Sequence, residues 1–244
     1  MSNSIDRKLK VVTFETRGGT ARIELDPGED GYRSILRGLG KIRNELRLST
    51  HPRIACYGAS RVVADDPAYK DTKELCRRLA EAGIDTVTGA GTGLMAAGSA
   101  GTAEGKAQSK ARAVGLPIGG ALDGNQNPHI DEPCFHENFF TRFDEFDILA
   151  TLGYFCGRRV GIGTDAEAGI ALQLAQFGLL KGRALVGVGD YWKRRRDLML
   201  EFMVQDGTAR TDEIEGMTIV DREMDAYDIF MEQLGRFKQK LAAA

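Results

Sequence analysis

Cysteine is scarce in this 244-residue chain: Cys56, Cys76, Cys134 and Cys156 are widely scattered, with no CxxC pair. That pattern argues against a disulfide framework and fits reduced, structural thiols of a cytoplasmic protein. No apolar run approaches the roughly 18–20 residues of a membrane span. The start, MSNSIDRKLK, lacks the apolar core of a signal peptide. A formal net charge of -2 gives no basic field for nucleic acid or an acidic membrane. Metal-ligand spacing is missing too. His129, Cys134 and His136 cluster in PHIDEPCFHE without a fourth ligand at a zinc-site interval, so they read as loop residues and no metal is expected. Repeats, low-complexity tracts and long linkers are likewise absent.

What is present is an ordinary globular composition, 42% hydrophobic and 28% charged, in a chain long enough for one α/β domain with an appendage. Residues 1–50 read as the appendage. LKVVTFETRGGTARIEL is two alternating segments around Gly18-Gly19, a β-hairpin signal that puts Val12 and Phe14 on one face with Ala21, Ile23 and Leu25. Tyr32, Ile35, Leu36, Leu39 and Ile42 then recur at helical spacing. From His51 onward the pattern becomes strand, loop, helix, repeated. RIACYGAS is a short strand ending in a glycine turn, and the helix after it has Asp66 as N-cap, Pro67 at its first position and Gly83 at its stop. Thr72, Leu75, Cys76 and Leu79 form its buried stripe. Further strands fall in IDTVTG, AVGLP, around Tyr154–Cys156, in RALVGVG and in MTIV, with a short helix opened by Arg142 and a last helix from Asp225. This alternation predicts a doubly wound, Rossmann-like parallel sheet over 51–244.

In such sheets ligands sit outside the carboxyl ends of the strands. Three strand ends carry glycine: YGASR (57–61), TGAGTGLM (88–95) and GIGT (161–164), the last opening a long helix with Glu167 one turn inside. Glycine lets the main chain approach a ligand, and a helix N-terminus offers free N–H groups and the positive end of its dipole to an anion. GAGTGL nearly matches a dinucleotide fingerprint, but its strand is not the first and no acidic residue stands at the following strand end to serve a ribose, so no nicotinamide cofactor is expected. Each feature also has a plainer reading. A lone glycine loop is a tight turn, Glu167 complements a helix dipole at about 0.3–1 kcal/mol, and Arg142 makes a surface ion pair with Asp144 or Glu145. WKRRR (192–196) reads as the exposed face of a helix start. Ile170, Leu174, Phe177 and Leu180 read as a core or dimer stripe.

Order and spacing carry more. From ACYGASR through GAGTGLM and RFDEF to GIGTDAE, roughly His51 to Val220, the chain resembles the Lonely Guy (LOG) family, nearest its bacterial nucleotide nucleosidase branch. The resemblance implies a cofactor-free hydrolase that cleaves the N-glycosidic bond of a nucleoside 5'-monophosphate, releasing base and ribose 5-phosphate. It implies Arg142 and Glu167 as catalytic residues. Gly161, Gly163 and Thr164 take the phosphate loop, and Gly58, Ser60, Gly89, Gly91, Gly93 and Met95 take the other nucleotide-binding loops. Gln173 and Gln176 match polar positions near that family's interface. Three departures stand out: Arg159-Val160 replaces Pro-Gly, the second loop reads Gly-Ala-Gly, and the interval after Arg142 is about two residues longer. Val160 brings a Cβ where the backbone should lie bare, while Arg158 or Arg159 offers charge in compensation. The alternative is a non-catalytic protein binding a nucleotide or another phosphorylated ligand, as the related molybdenum-cofactor carriers do. A homodimer is expected, to cover the hairpin edges and the N-terminal apolar stripe. Base preference is assigned to loops such as Gly119–Pro133.

Overall fold

The structure, a computed structural model, describes residues 51–118, 127–136 and 138–243, and the backbone of 10–16 and 19–25. The chain divides into two compact units, Met1–Thr50 and His51–Ala244. In the first, β1 (Lys10–Thr16) pairs antiparallel with β2 (Gly19–Leu25). The register sets Val12 opposite Ile23 and Phe14 opposite Ala21, with Gly19 already in the second strand. The helical stripe from Tyr32 to Ile42 and residues 119–126 of the expected base-preference loop lie outside the described residues.

The second unit is a seven-stranded sheet with every neighbouring pair parallel. Its elements in chain order are β3 (Arg53–Tyr57), α1 (Pro67–Glu81), β4 (Asp85–Thr88), α2 (Leu94–Gly105), β5 (Ala113–Gly115), β6 (Glu132–Pro133) and α3 (Phe139–Leu149). They continue with β7 (Gly153–Cys156), α4 (Ile162–Gln176), β8 (Ala184–Val188), α5 (Asp190–Met199), α6 (Thr211–Ile214), β9 (Thr218–Val220) and α7 (Asp225–Ala242). Between α5 and α6, Leu200–Val204 forms a π-helical turn. The sheet order is β6-β5-β4-β3-β7-β8-β9, so the direction of winding reverses between β3 and β7. This is a Rossmann-like α/β fold.

Side-chain alternation along the strands feeds two cores, one on each face. Ala55, Tyr57, Tyr154, Cys156 and Leu185 face Phe146 of α3, Ala168, Ala171 and Leu172 of α4, and Trp192 of α5. Ile54, Cys56, Phe155, Val186 and Val188 face Leu75, Cys76 and Leu79 of α1 and Phe230 and Leu234 of α7. Burying side chains of this size stabilises by about 1.5–3 kcal/mol each.

Local signals set the helix ends. Asp66 accepts from Ala68 N at 2.8 Å and caps α1 at Pro67, and Gly83 closes it at φ +84. Glycines in α2 permit close packing on α1. A Cβ at Gly101 would lie 2.1 Å from Lys73 O, and one at Gly105 2.1 Å from Arg77 O. The short helix expected from Arg142 begins three residues earlier, because Asn138 caps it through Phe140 N (3.0 Å) and Thr141 N (3.1 Å). At its other end Arg183 donates to Asp147 O (2.7 Å) and Ala150 O (3.2 Å), satisfying carbonyls that a helix C-terminus leaves free.

Candidate functional site

The three glycine-bearing loops converge where the winding reverses. Ala59, just past β3, joins both others: its N–H donates to Arg159 O at 3.0 Å, and its carbonyl accepts from Leu94 N at 3.1 Å. Gly157 N donates to Tyr57 O (3.0 Å) and Thr92 Oγ1 to Ser60 O (2.7 Å). Two glycines make this approach possible. At Gly58 a Cβ would fall 2.4 Å from Leu94 Cβ; at Gly93, with φ +65, it would fall 2.2 Å from Ala59 O. Any larger residue there would force the loops apart.

Beside this junction lie the two charged residues singled out by the sequence. Arg142 Nη2 donates to Glu167 Oε1 at 3.0 Å, and the side chains are only 12% and 9% exposed. Arg142 comes from α3 and Glu167 from the second turn of α4. Arg142 is therefore no surface ion pair, and Glu167 does more than complement a dipole. The Arg142 guanidinium also stacks 5.0 Å from the Phe139 ring centroid and 5.8 Å from that of Phe146. Its Nε is buried without a hydrogen-bond partner. Gly89 forms the adjoining wall: a Cβ there would lie 3.2 Å from Arg142 Nη1 and 3.0 Å from Met95 Sδ. At Gly91 it would meet Met95 Cε at 2.5 Å. Burial pushes the Glu167 carboxyl up from its ordinary 4.5 to about 7, against the opposing pull of Arg142. Burial, and then the Glu167 charge, push up the Cys156 thiol at the end of β7. A carboxyl that gains and loses its proton near neutrality is suited to acid–base work.

Gly161 stands in extended conformation as the N-cap of α4, with no side-chain cap. The first intrahelical bond runs from Asp165 N to Gly161 O, so the N–H groups of Ile162, Gly163 and Thr164 precede the ladder. A Cβ at Gly163 would meet nothing within 4 Å, and Thr164 is buried. This is open backbone at a positive helix end. The flanking departures from the resembled motif have their own explanations. Arg158 is committed to Glu223, with Nε 2.6 Å from Oε1, and to Asp71. Arg159 pairs with Asp66 at 3.0 Å. Arg158 is thus held by two carboxylates, whereas the Arg159 pair lies at the surface. Val160 is half-buried and packs against the core shared with Phe146, Ala168 and Trp192. Ala90, in the Gly-Ala-Gly loop, adopts φ +61, a left-handed conformation that costs a non-glycine residue about 1–2 kcal/mol.

Other sequence readings resolve elsewhere. His136 is held by Thr141 Oγ1 (3.1 Å to Nδ1) and Glu145 (2.8 Å to Nε2). Among the described residues, no group of three or more His, Cys, Asp or Glu is placed to hold a metal ion. Trp192, expected on an exposed face, is 1% exposed and donates from Nε1 to Gly157 O at 3.1 Å. Arg195 of the same basic run pairs with Asp165 at 2.7 Å. On α4 the core face is Ala168, Ala171 and Leu172, while Ile170 and Phe177 of the expected stripe are exposed. A cleft of about 490 Å³ lined by Thr151, Lys181, Arg183 and Lys240 contains none of the expected site residues. Sequence reasoning missed Phe139 on the face of α3 that carries Arg142; the FFTRF run, two aromatics just before the arginine, was the signal for it.

Among solved structures, the chain is similar to the molybdenum cofactor carrier protein of Chlamydomonas reinhardtii: 16% identity, TM-score 0.55, covering 76% of this chain and 99% of that one. It is similar also to the molybdenum cofactor binding protein of the phototrophic bacterium Rippkaea orientalis, at 14% identity and TM-score 0.55, covering 75% and 98%. The structural-genomics target TM1055 matches at 19% identity and TM-score 0.53, covering 74% and 99%. The fold is shared. Sequence identity this low extends the likeness no further than that. No family model and no curated protein matches the chain. No helix among the described residues is long and apolar enough to cross a membrane.

Proposed function

We propose that this protein hydrolyses the N-glycosidic bond of a nucleoside 5'-monophosphate, without a cofactor. The observation that carries this reading is the buried Arg142–Glu167 pair, 3.0 Å apart, behind three interlocked glycine loops and one turn beyond the open N-terminus of α4. That N-terminus, with Gly161, Gly163 and Thr164, takes the phosphate. As the base departs, positive charge builds at the anomeric carbon and the bonding electrons leave with the base nitrogen. Ionised Glu167 stabilises that cation and accepts a proton from the water whose oxygen joins the carbon. The proton passes on to the departing base. Arg142 holds the carboxylate in place and favours its charged form. The substrate is a small phosphorylated molecule, with neither nucleic acid nor membrane as partner, and the protein acts as a homodimer in the cytoplasm.

A second reading, binding of a nucleotide or other phosphorylated ligand without turnover, draws support from the molybdenum cofactor carriers that share the fold. It draws more from Arg159-Val160, where the resembled hydrolase motif has Pro-Gly. Incubation with a panel of purine and pyrimidine nucleoside 5'-monophosphates, read out as free base, separates the two. Release from at least one supports the hydrolase; tight binding with no release from any member supports the carrier-like protein.

A further inference from the structure

Helix α3 presents Phe139, Arg142, Phe143 and Phe146 on one face, at the i, i+3, i+4, i+7 positions. Exposure along this face is graded. Phe146 is 1% exposed at the core end, Phe143 is half-buried, and Phe139 is 55% exposed at the first turn. The helix leads through Thr151 into the start of β7, so its first turn stands at the carboxyl end of the strands, where the glycine loops meet. Asn138 fixes that turn through its two capping bonds and thereby fixes the direction of Phe139. Phe139 is absent from both hydrophobic cores. Its described ring contacts are the Arg142 guanidinium at 5.0 Å and Phe143 at 6.2 Å. An exposed phenyl ring is unfavourable in water. Here it adjoins the residue that reaches Glu167, at the mouth of the candidate site.

We propose that Phe139 is the platform on which a planar aromatic heterocycle of the ligand stacks, with Arg142 bordering the same ring. The inference rests on the nucleotide reading above and assigns the base end of that ligand. It adds the first turn of α3 to base recognition, which the sequence reading assigned to loops such as Gly119–Pro133. Phe140 serves as internal control: it is 84% exposed but one position on, about 100° around the helix from Phe139.

The test is equilibrium binding of AMP, CMP and ribose 5-phosphate to the full chain carrying Glu167→Gln, which halts turnover of the bound nucleotide, and to the same chain with Phe139→Leu, Phe139→Trp or Phe140→Leu added. Stacking of a base on an aromatic side chain predicts a loss of roughly 5- to 100-fold in AMP and CMP affinity for Phe139→Leu. Ribose 5-phosphate should stay within about twofold. Phe139→Trp should keep AMP affinity and report binding by fluorescence quenching, and Phe140→Leu should change nothing. Equal losses for AMP and ribose 5-phosphate, or no loss for either, overturn the platform while leaving the phosphate site standing. Unchanged AMP affinity with a shift in oligomeric state makes Phe139 an interface residue and also overturns it. If the Glu167→Gln chain binds none of the three ligands, the nucleotide reading itself falls and the platform falls with it.

Discussion

Arg142 and Glu167, 25 positions apart in sequence, meet at 3.0 Å between helices that flank β7, where the protein excludes most water from both side chains. Burying two charges costs several kcal/mol each, and leaving one unpaired after removing its partner costs about 3–5 kcal/mol. The pair is thus hard to maintain for stability alone. It holds a carboxyl whose proton equilibrium lies near neutrality, which a surface pair would not do.

Arg142→Ala removes the group that favours the ionised carboxylate. The rise in turnover with pH, expected in the unaltered protein to follow the Glu167 carboxyl at about 7, should move upward. Turnover at pH 7 should fall at least roughly tenfold, since loss of the cation both misplaces Glu167 and leaves more of it protonated. Profiles of kcat against pH check this. An unshifted midpoint separates Arg142 from the titration of Glu167.

Glu167→Gln preserves shape and removes the charge, so turnover should fall by about 10² or more while nucleotide binding stays within a few-fold. Stability carries a second signature. Because the folded-state value is raised from 4.5 to about 7, Glu167 binds more protons folded than unfolded. Its contribution is fully present below about pH 4.5 and is lost as pH rises through about 7. Thermal melts between pH 4 and 8.5 should show this extra decline in the unaltered protein and not in Glu167→Gln.

The glycines of the site divide into two classes. Gly93→Ala should destabilise by about 2 kcal/mol or more, because its Cβ meets backbone and its φ is positive. Gly163→Ala meets nothing within 4 Å and should leave the melting temperature unchanged or slightly raised. If phosphate sits on that N-terminus, Gly163→Ala keeps every N–H donor but sets a methyl in the space the anion would enter, so AMP should weaken several-fold by crowding. Adenosine affinity should not respond. Equal effects on both ligands would place the phosphate elsewhere.

Val160→Gly tests the departure from the resembled motif. Its side chain packs against the core, so restoring glycine should cost about 1–3 kcal/mol of stability in lost packing and added chain entropy. Nucleotide affinity should change little. A gain in affinity or turnover would mean that the valine crowds the ligand after all.

A homodimer needs an apolar contact surface, and the exposed side chains outside the core face of α4 are candidates for one. Ile170, Phe177 and Leu179 are 36%, 67% and 42% exposed along the end of α4 and the turn after it. Light scattering at micromolar concentration should give twice the chain mass, and Phe177→Glu should lower it to one, because a desolvated carboxylate at an apolar contact opposes association. A monomeric unaltered protein contradicts the prediction.

Much of this protein is local and therefore readable from its residues in order. Asp66, Pro67 and Gly83 bound α1 by capping chemistry that needs only neighbours in sequence, and Leu75, Cys76 and Leu79 mark its buried face by periodicity. The three glycine turns and Glu167 just past a helix start were visible for the same reason. Tertiary structure decided what depends on distant partners. Strand order placed β3 between β4 and β7, which brought Ala59 to Leu94 on one side and to Arg159 on the other. Packing of α3 and α4 on one face of the sheet joined Arg142 to Glu167, and their burial set the proton equilibrium of the carboxyl. Arg158 found Glu223, 65 residues away, instead of an anion. Trp192 turned inward because Gly157 O offered its indole N–H a buried acceptor. Composition and spacing specify which groups exist and on which element they ride; a pKa, an ion pair or an exposed ring is a property of what the fold packs against them.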